Sequence, residues 1–200
     1  MNRPMKTVQN NDKRFLNELV HSNHYLFNNQ RMNLIQIGNQ NSQFECLNIS
    51  MEHEKVEDHI LLTRLEFKNI SDQPFTAKLF VENFIDQEVM NYAFISPNRD
   101  FLFLANEDGL YLTSGLFDKS SINQYSIVKA RLLENYTTEF IPFRPIGNGN
   151  VASVYSLEKR IQPNEVSVAY TWVLFTESSS EKELIRWNNH LKRRLAFLEK

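Results

Sequence analysis

Apolar and polar residues alternate along most of this chain, and that period of two is the mark of β-strands. The clearest case runs from Leu61 to Ile85. Phe75, Ala77, Leu79, Val81 and Ile85 fall on one side of an extended chain, and Thr76, Lys78 and Glu82 on the other, with Phe80 and Phe84 as apolar exceptions. The polar break from Asn69 to Pro74 separates two such runs. Asn, Ser and Asp bond the local backbone and Pro74 removes a ladder donor, so the stretch predicts two strands joined by a tight reversal.

The same reading extends along the chain. A short helix is expected between Lys13 and Val20, then strands over Leu34–Gly38 and Phe44–Met51, with a charged loop over 52–59. Val89–Ile95 reads as a strand, and Phe101–Ser114 as a second hairpin about Asp108-Gly109, where glycine accepts positive φ at little cost. Tyr125–Leu133, Val151–Leu157 and Val166–Phe175 supply further strands. Pro142, Pro145, Gly147 and Gly149 make 140–150 a loop or crossover. The last strand keeps Val166, Val168, Tyr170, Trp172 and Leu174 on one face and Ala169, Val173 and Phe175 on the other, so it is expected to be central or covered on both sides.

Only the carboxy-terminal segment has a clear helical period. Ser180 and Glu183 have the spacing of a capping box. Leu184, Trp187, Leu191, Leu195 and Leu198 then recur at three and four, forming one apolar stripe. The fold class expected is mainly β: a two-sheet antiparallel β-sandwich with a C-terminal amphipathic α-helix. Residues 1–31 are expected as a polar amino-terminal extension, 32–176 as the sandwich, and 177–200 as the helix, docked on the sandwich or on a partner.

Composition narrows the function classes. Two hundred residues with 42% hydrophobic and 23% charged side chains suit one soluble domain with a sizeable core. A formal net charge of −2 argues against a general nucleic-acid binder. No apolar run reaches the roughly 18 residues of a membrane helix, and the amino terminus lacks the apolar segment of a secretory signal, so a cytoplasmic, membrane-free protein is expected. The single cysteine, Cys46, forms no disulfide framework and reads as a buried, inert thiol.

At its turns the chain resembles bacterial β-sandwich modules. Leu65 through Phe75 looks like their strand, Asn-x-Ser-Asp-x-Pro turn and strand, and Ile161 through Val166 like the proline turn that introduces a late strand. The resemblance is to Ig-like modules, which implies binding or assembly. A larger two-sheet sandwich ending in a helix is also similar to the amino-terminal domains of some glycoside hydrolases and to mutarotase-like supersandwiches. In the former, catalysis resides in a following helical barrel. The His/Glu catalytic motif of the latter has no match here.

Candidate chemistry is sparse. His53, Glu57 and His59 form the densest cluster of metal-ligand types, but their spacing departs from H-E-x-x-H and their flanks are strands. His21 and His24 lack a nearby cysteine or carboxylate. No serine sits in a nucleophile motif, and Gly147 to Asn150 lacks the lysine of a phosphate loop. Tyr111, Tyr155, Tyr170 and Trp172 have faces that stack on sugars, although core packing accounts for them more simply. No cofactor and no catalytic residue is therefore expected. The reading is a non-catalytic binding or assembly protein, whose partner is another protein or a second copy, docking near Leu184, Trp187, Leu191, Leu195 and Leu198. The alternative is a carbohydrate-binding or sugar-processing sandwich.

Overall fold

The computed structural model describes residues 16–28, 30–35, 42–44, 46–57, 59–85, 91–97, 100–178 and 180–198, without the side chains of 17, 18, 42, 43, 54–57, 197 and 198. A one-turn helix, α1 (Leu16–Leu19), leads directly into β1 (Val20–Asn28) and β2 (Arg31–Ile35). Then follow β3 (Ser42–Phe44), β4 (Leu47–Glu57), β5 (Ile60–Asn69), β6 (Phe75–Ile85), β7 (Asn91–Ile95), β8 (Leu102–Asn106), β9 (Gly109–Phe117) and β10 (Gln124–Lys129). After a 3-10 turn at Leu133–Asn135 come β11 (Ile146–Gly149), β12 (Val151–Ile161), β13 (Val166–Thr176) and α2 (Glu181–Leu198).

The strands form two antiparallel sheets, as the alternation predicts. One has five strands in the order β10-β12-β6-β1-β2, and the other eight, in the order β11-β7-β8-β9-β13-β5-β4-β3. Alternate residues of each sheet point inward, where Leu26, Val81 and Tyr155 of the smaller sheet meet Leu65, Phe67 and Val173 of the larger. The outer face of the larger sheet carries Leu62, Leu112, Trp172 and Leu174 beneath α2. The outer face of the smaller sheet carries Tyr25, Phe80, Phe84 and Val154 beneath Leu133 and Ile141. Both sheets are thus buried on two faces, which explains the apolar exceptions Phe80 and Phe84 and the doubly apolar β13.

The Leu61–Ile85 reversal is not a hairpin. β5 pairs with β4 and β13, whereas β6 pairs with β1 and β12 in the opposite sheet. The turn at 70–74 is an arch from one sheet to the other, and β12–β13 form a second arch beside it. Backbone bonds tie the two together: Asn69 donates to the Glu165 carbonyl at 3.0 Å, and Asn164 to the Asn69 carbonyl at 3.0 Å. The buried Asn69 amide adds bonds to the carbonyls of Gln73 and Ile161. Alternation reports an extended chain with one side buried; it does not say which strand lies alongside.

Four further differences follow from polar residues in unexpected places. Val20–Asn28, expected within the amino-terminal extension, is a strand of the smaller sheet, with Ser22 and His24 turned inward and Tyr25 outward. The charged segment 52–57 continues β4 instead of forming a loop. Tyr125–Leu133 is shorter as a strand, ending at Lys129. Within 140–150, Ile146–Gly149 pairs with β7 as an edge strand. The Phe101–Ser114 hairpin forms as expected, β8 against β9 across Asp108-Gly109.

Candidate functional site

His53 and His59, two of the three expected metal ligands, each have another partner in the structure. His53 lies on β4 with Nδ1 2.9 Å from the hydroxyl of Thr63 on β5. His59 occupies the turn after β4, its ring stacked on Trp187 of α2 with centroids 4.5 Å apart. The Glu57 side chain lies outside the described residues. Among the described residues, no group of three or more His, Cys, Asp or Glu is placed to hold a metal.

His21 and His24 point to opposite faces of β1. His21 stacks on Phe84 at 5.1 Å. His24 is wholly buried between the sheets, with Nε2 2.7 Å from the Thr171 hydroxyl. Burial, then the electrostatic influence of His53, lowers its pKa to about 3, so it is a neutral imidazole in the core. Cys46 is half-buried against the inter-sheet core.

The aromatic residues considered for sugar stacking are all occupied. Tyr111 and Tyr155 are buried between the sheets, the latter donating to the Ser114 carbonyl at 2.7 Å. Tyr170 and Trp172 lie under α2, and the Trp172 indole donates to Asn188 Oδ1 at 3.0 Å. The apolar stripe of α2 is occupied as well. Leu184, Leu191 and Leu195 are buried on the larger sheet and Trp187 is half-buried on His59, while the Leu198 side chain lies outside the described residues. The stripe therefore faces its own sheet. The outward side of α2 carries Lys182, Arg186, His190 and Arg193 around a shallow hollow of about 440 Å³.

The least sheltered apolar surface lies elsewhere, on a strap of chain from Leu132 to Ile146. Of eight large apolar side chains exposed among the described residues, four belong to it: Leu132, Phe140 at 67%, Phe143 at 58% and Ile146 at 72%. A fifth, Tyr92, is on the strand with which Ile146–Gly149 pairs. The strap is firmly held. Leu133 and Ile141 are buried on Tyr25, Phe80, Phe84 and Val154 of the smaller sheet. Ser126 Oγ donates to the Pro142 carbonyl at 2.6 Å and accepts from the Arg144 amide at 3.1 Å. The Ile127 amide donates to Arg144 O, and the Ile95 amide to Pro145 O, so the strap bridges an edge of each sheet.

Its exposed rings are partly ordered by neighbours. The Lys78 ammonium lies 5.1 Å from the Phe140 centroid and 3.4 Å from Glu139 Oε2, and Phe143 meets Tyr125 edge-on at 5.8 Å. Pro142 and Pro145 fix φ along the segment and leave no amide hydrogen unpaired at those two positions. The sequence carried a signal here. Phe140, Ile141, Phe143 and Ile146 are interleaved with prolines that exclude a central strand, so apolar residues gather outside the central strands of either sheet.

Beneath the strap lies Glu82, which is wholly buried. Tyr25 donates its hydroxyl to Oε2 at 3.4 Å. Burial pushes the Glu82 carboxyl up to about 7; the Leu132 and Leu133 amides and the Tyr25 hydroxyl pull it down, and the like charge of Glu134 pushes it up.

No protein-family model matches the chain, and no curated protein matches it. Among solved structures the chain is similar to a bacterial glucoamylase complexed with acarbose, at 10% identity and a TM-score of 0.41. The likeness covers 88% of this chain and 30% of that one, so the chain spans under a third of that protein's length. No helix among the described residues is long and apolar enough to cross a membrane.

Proposed function

We propose that this chain is a non-catalytic binding module that docks another protein through the Leu132–Ile146 strap. The observation that carries the reading is the pairing of exposure with order: Phe140, Phe143 and Ile146 face solvent on a segment whose backbone is bonded to both sheets. Exposed apolar groups gathered on one surface mark interaction sites, and aromatic side chains held in place before contact lose little entropy on binding. Their neighbours Glu139, Arg144 and Lys78 supply the polar rim typical of such interfaces.

This reading relocates the docking surface from the terminal helix to the strap. A photo-reactive phenylalanine analogue at position 143 tests it, with a second analogue at exposed Val166 as the control. The expected result is a protein adduct at 143 that is competed by the unlabelled chain but not by its Phe140→Ser/Phe143→Ser variant. Equal competition by the two chains, or adducts of the same kind at 166, would sink the proposal. Titration with maltooligosaccharides is the companion arm. Saturable sugar binding that Phe143→Ser removes would replace a protein partner with a carbohydrate.

A further inference from the structure

The seat of the strap contains a group that apolar packing does not explain. Glu82 sits mid-strand in β6, flanked by Asn23 of β1 and Val154 of β12. Its Oε1 meets no hydrogen-bond partner. A buried carboxylate is costly unless it is paired, and among the described residues no cation pairs with it. On β6 itself, Lys78 turns to Glu139 and the Phe140 ring. On β1, His21 stacks on Phe84 and Tyr25 offers a long bond from a neutral hydroxyl. β12 and β10 bring Ala152, Val154 and Val128 to this face, and β2 brings Met32. Arg131, just before the strap, lays its guanidinium over the Phe84 ring at 5.5 Å, and the strap itself contributes Glu134, which repels a second negative charge.

We propose that Glu82 is a proton-controlled latch for the strap: the neutral acid lets Leu133 and Ile141 close over the smaller sheet, and the carboxylate favours the strap lifted into water. The inference rests on reading the strap as the docking surface, because its consequence is that the ordered apolar face is lost as pH rises. Ionised in the closed form, Glu82 keeps the Tyr25 hydroxyl and the Leu132 and Leu133 amides, but burial outweighs them and Oε1 has no partner, so lifting the strap into water relieves the charge. The raised carboxyl of the closed form fits this arrangement, since a lifted strap would return the group towards the ordinary 4.5. Opening is then favoured progressively from about pH 4.5 to about 7 and levels off above.

Hydrogen–deuterium exchange on the whole chain tests the latch without any partner. The Ile141 and Arg144 amides, which bond to Gln124 Oε1 and Ser126 Oγ of β10, report on strap closure. With each rate divided by its intrinsic value, their protection should fall on the order of fiftyfold between pH 5 and pH 8, while the core amides of Leu157 and Val173 hold. Glu82→Gln should abolish the difference. An equal fall in that variant, or pH-independent protection in the parent chain, overturns the proposal. If Glu82→Gln does not fold, carboxyl NMR of the parent decides: a Glu82 midpoint near 7 supports the latch, and one near 4.5 overturns it. An adduct at position 143 together with pH-independent protection would refute the latch and leave the docking reading intact. The reverse combination would do the opposite.

Discussion

His24 of the five-stranded sheet and Thr171 of the eight-stranded sheet share a hydrogen bond of 2.7 Å across the middle of the core. Thr113 and Ser153 make a second sheet-to-sheet bond at 3.0 Å, and Tyr155 reaches the Ser114 carbonyl at 2.7 Å. Apolar surfaces attract without direction, so on their own they leave the offset between two sheets loosely determined. Directional bonds such as these fix the stacking. Thr171→Val keeps the shape of the side chain and strips His24 of this partner, and should cost about 1–3 kcal/mol in urea unfolding. Serine at 171 restores a hydroxyl and should recover part of that loss; equal destabilisation by valine and serine would mean that the bond contributes nothing.

Two buried titratable groups act on stability in opposite directions. His24 has a folded pKa of about 3, below its ordinary 6.5, so its contribution is complete above 6.5 and is lost as pH falls towards 3. Glu82 has a folded pKa of about 7, above its ordinary 4.5, so its contribution is complete below 4.5 and is lost as pH rises through 7. Between about pH 4.5 and 6.5 the folded state holds one proton more at Glu82 and one fewer at His24, so the two slopes oppose each other. Glu82→Gln should therefore uncover a positive slope of roughly 1.4 kcal/mol per pH unit in that window. Denaturant midpoints at four or five pH values measure it; a flat profile in the variant would contradict the His24 assignment, and identical profiles in parent and variant would contradict that of Glu82.

These same residues show where the sequence could be read and where it could not. Alternation over Phe75–Ile85 and Val166–Phe175 marks strands because burial leaves a period of two, and the apolar stripe of α2 marks a helix for the corresponding reason. Partnering is not local. Asn69–Pro74 looks like a hairpin turn, and Asn69 and Ser71 do bond the local backbone, yet the bonds to Glu165 and Asn164 that tie it into an arch come from a segment distant in sequence. Val20–Asn28 is hidden by its own chemistry, since Ser22 and His24 occupy inward positions that a hydropathy pattern assigns to solvent. Glu82 is concealed in the same way. Phe80 and Phe84 on either side of it show that its face is covered, but not that the cover is the strap.

Gly109 tests how tightly the β8–β9 hairpin is built. Its φ of 155° lies where side chains are rarely found, and a Cβ there would meet the Thr176 carbonyl and come within 2.7 Å of the Phe175 ring. The carbonyl belongs to a paired strand and cannot swing aside. Gly109→Ala should destabilise by about 2 kcal/mol or more, seen as a lower thermal midpoint. A shift of less than about a quarter of that would mean that the turn relaxes freely.

Docking of α2 rests on Leu184, wholly buried, and on the Trp172–Asn188 bond at 3.0 Å. Leu184→Ala should cost about 2–5 kcal/mol through lost burial and a residual cavity. Asn188→Ala should cost about 1–3 kcal/mol because the buried indole N–H loses its acceptor. Trp172 fluorescence follows both changes. If the helix is seated as described, its emission shifts to the red at lower denaturant in each variant, and unchanged midpoints would show that α2 is not held there.

The strap offers the sharpest separation of a binding role from a structural one, because it has residues of each kind side by side. Ile141 is buried on Phe80 and Phe84, so Ile141→Ala should destabilise the fold by about 2–5 kcal/mol. Phe140 and Phe143, mostly exposed, should tolerate serine within about 0.5 kcal/mol. Under the docking proposal these two serines remove the protein adduct at neighbouring positions while the unfolding curve stays in place, and the alanine does the reverse under mildly destabilising conditions only. A double serine variant that unfolds as readily as Ile141→Ala would show that the exposed rings serve the fold itself, and the case for a docking surface on the strap would fall with that result.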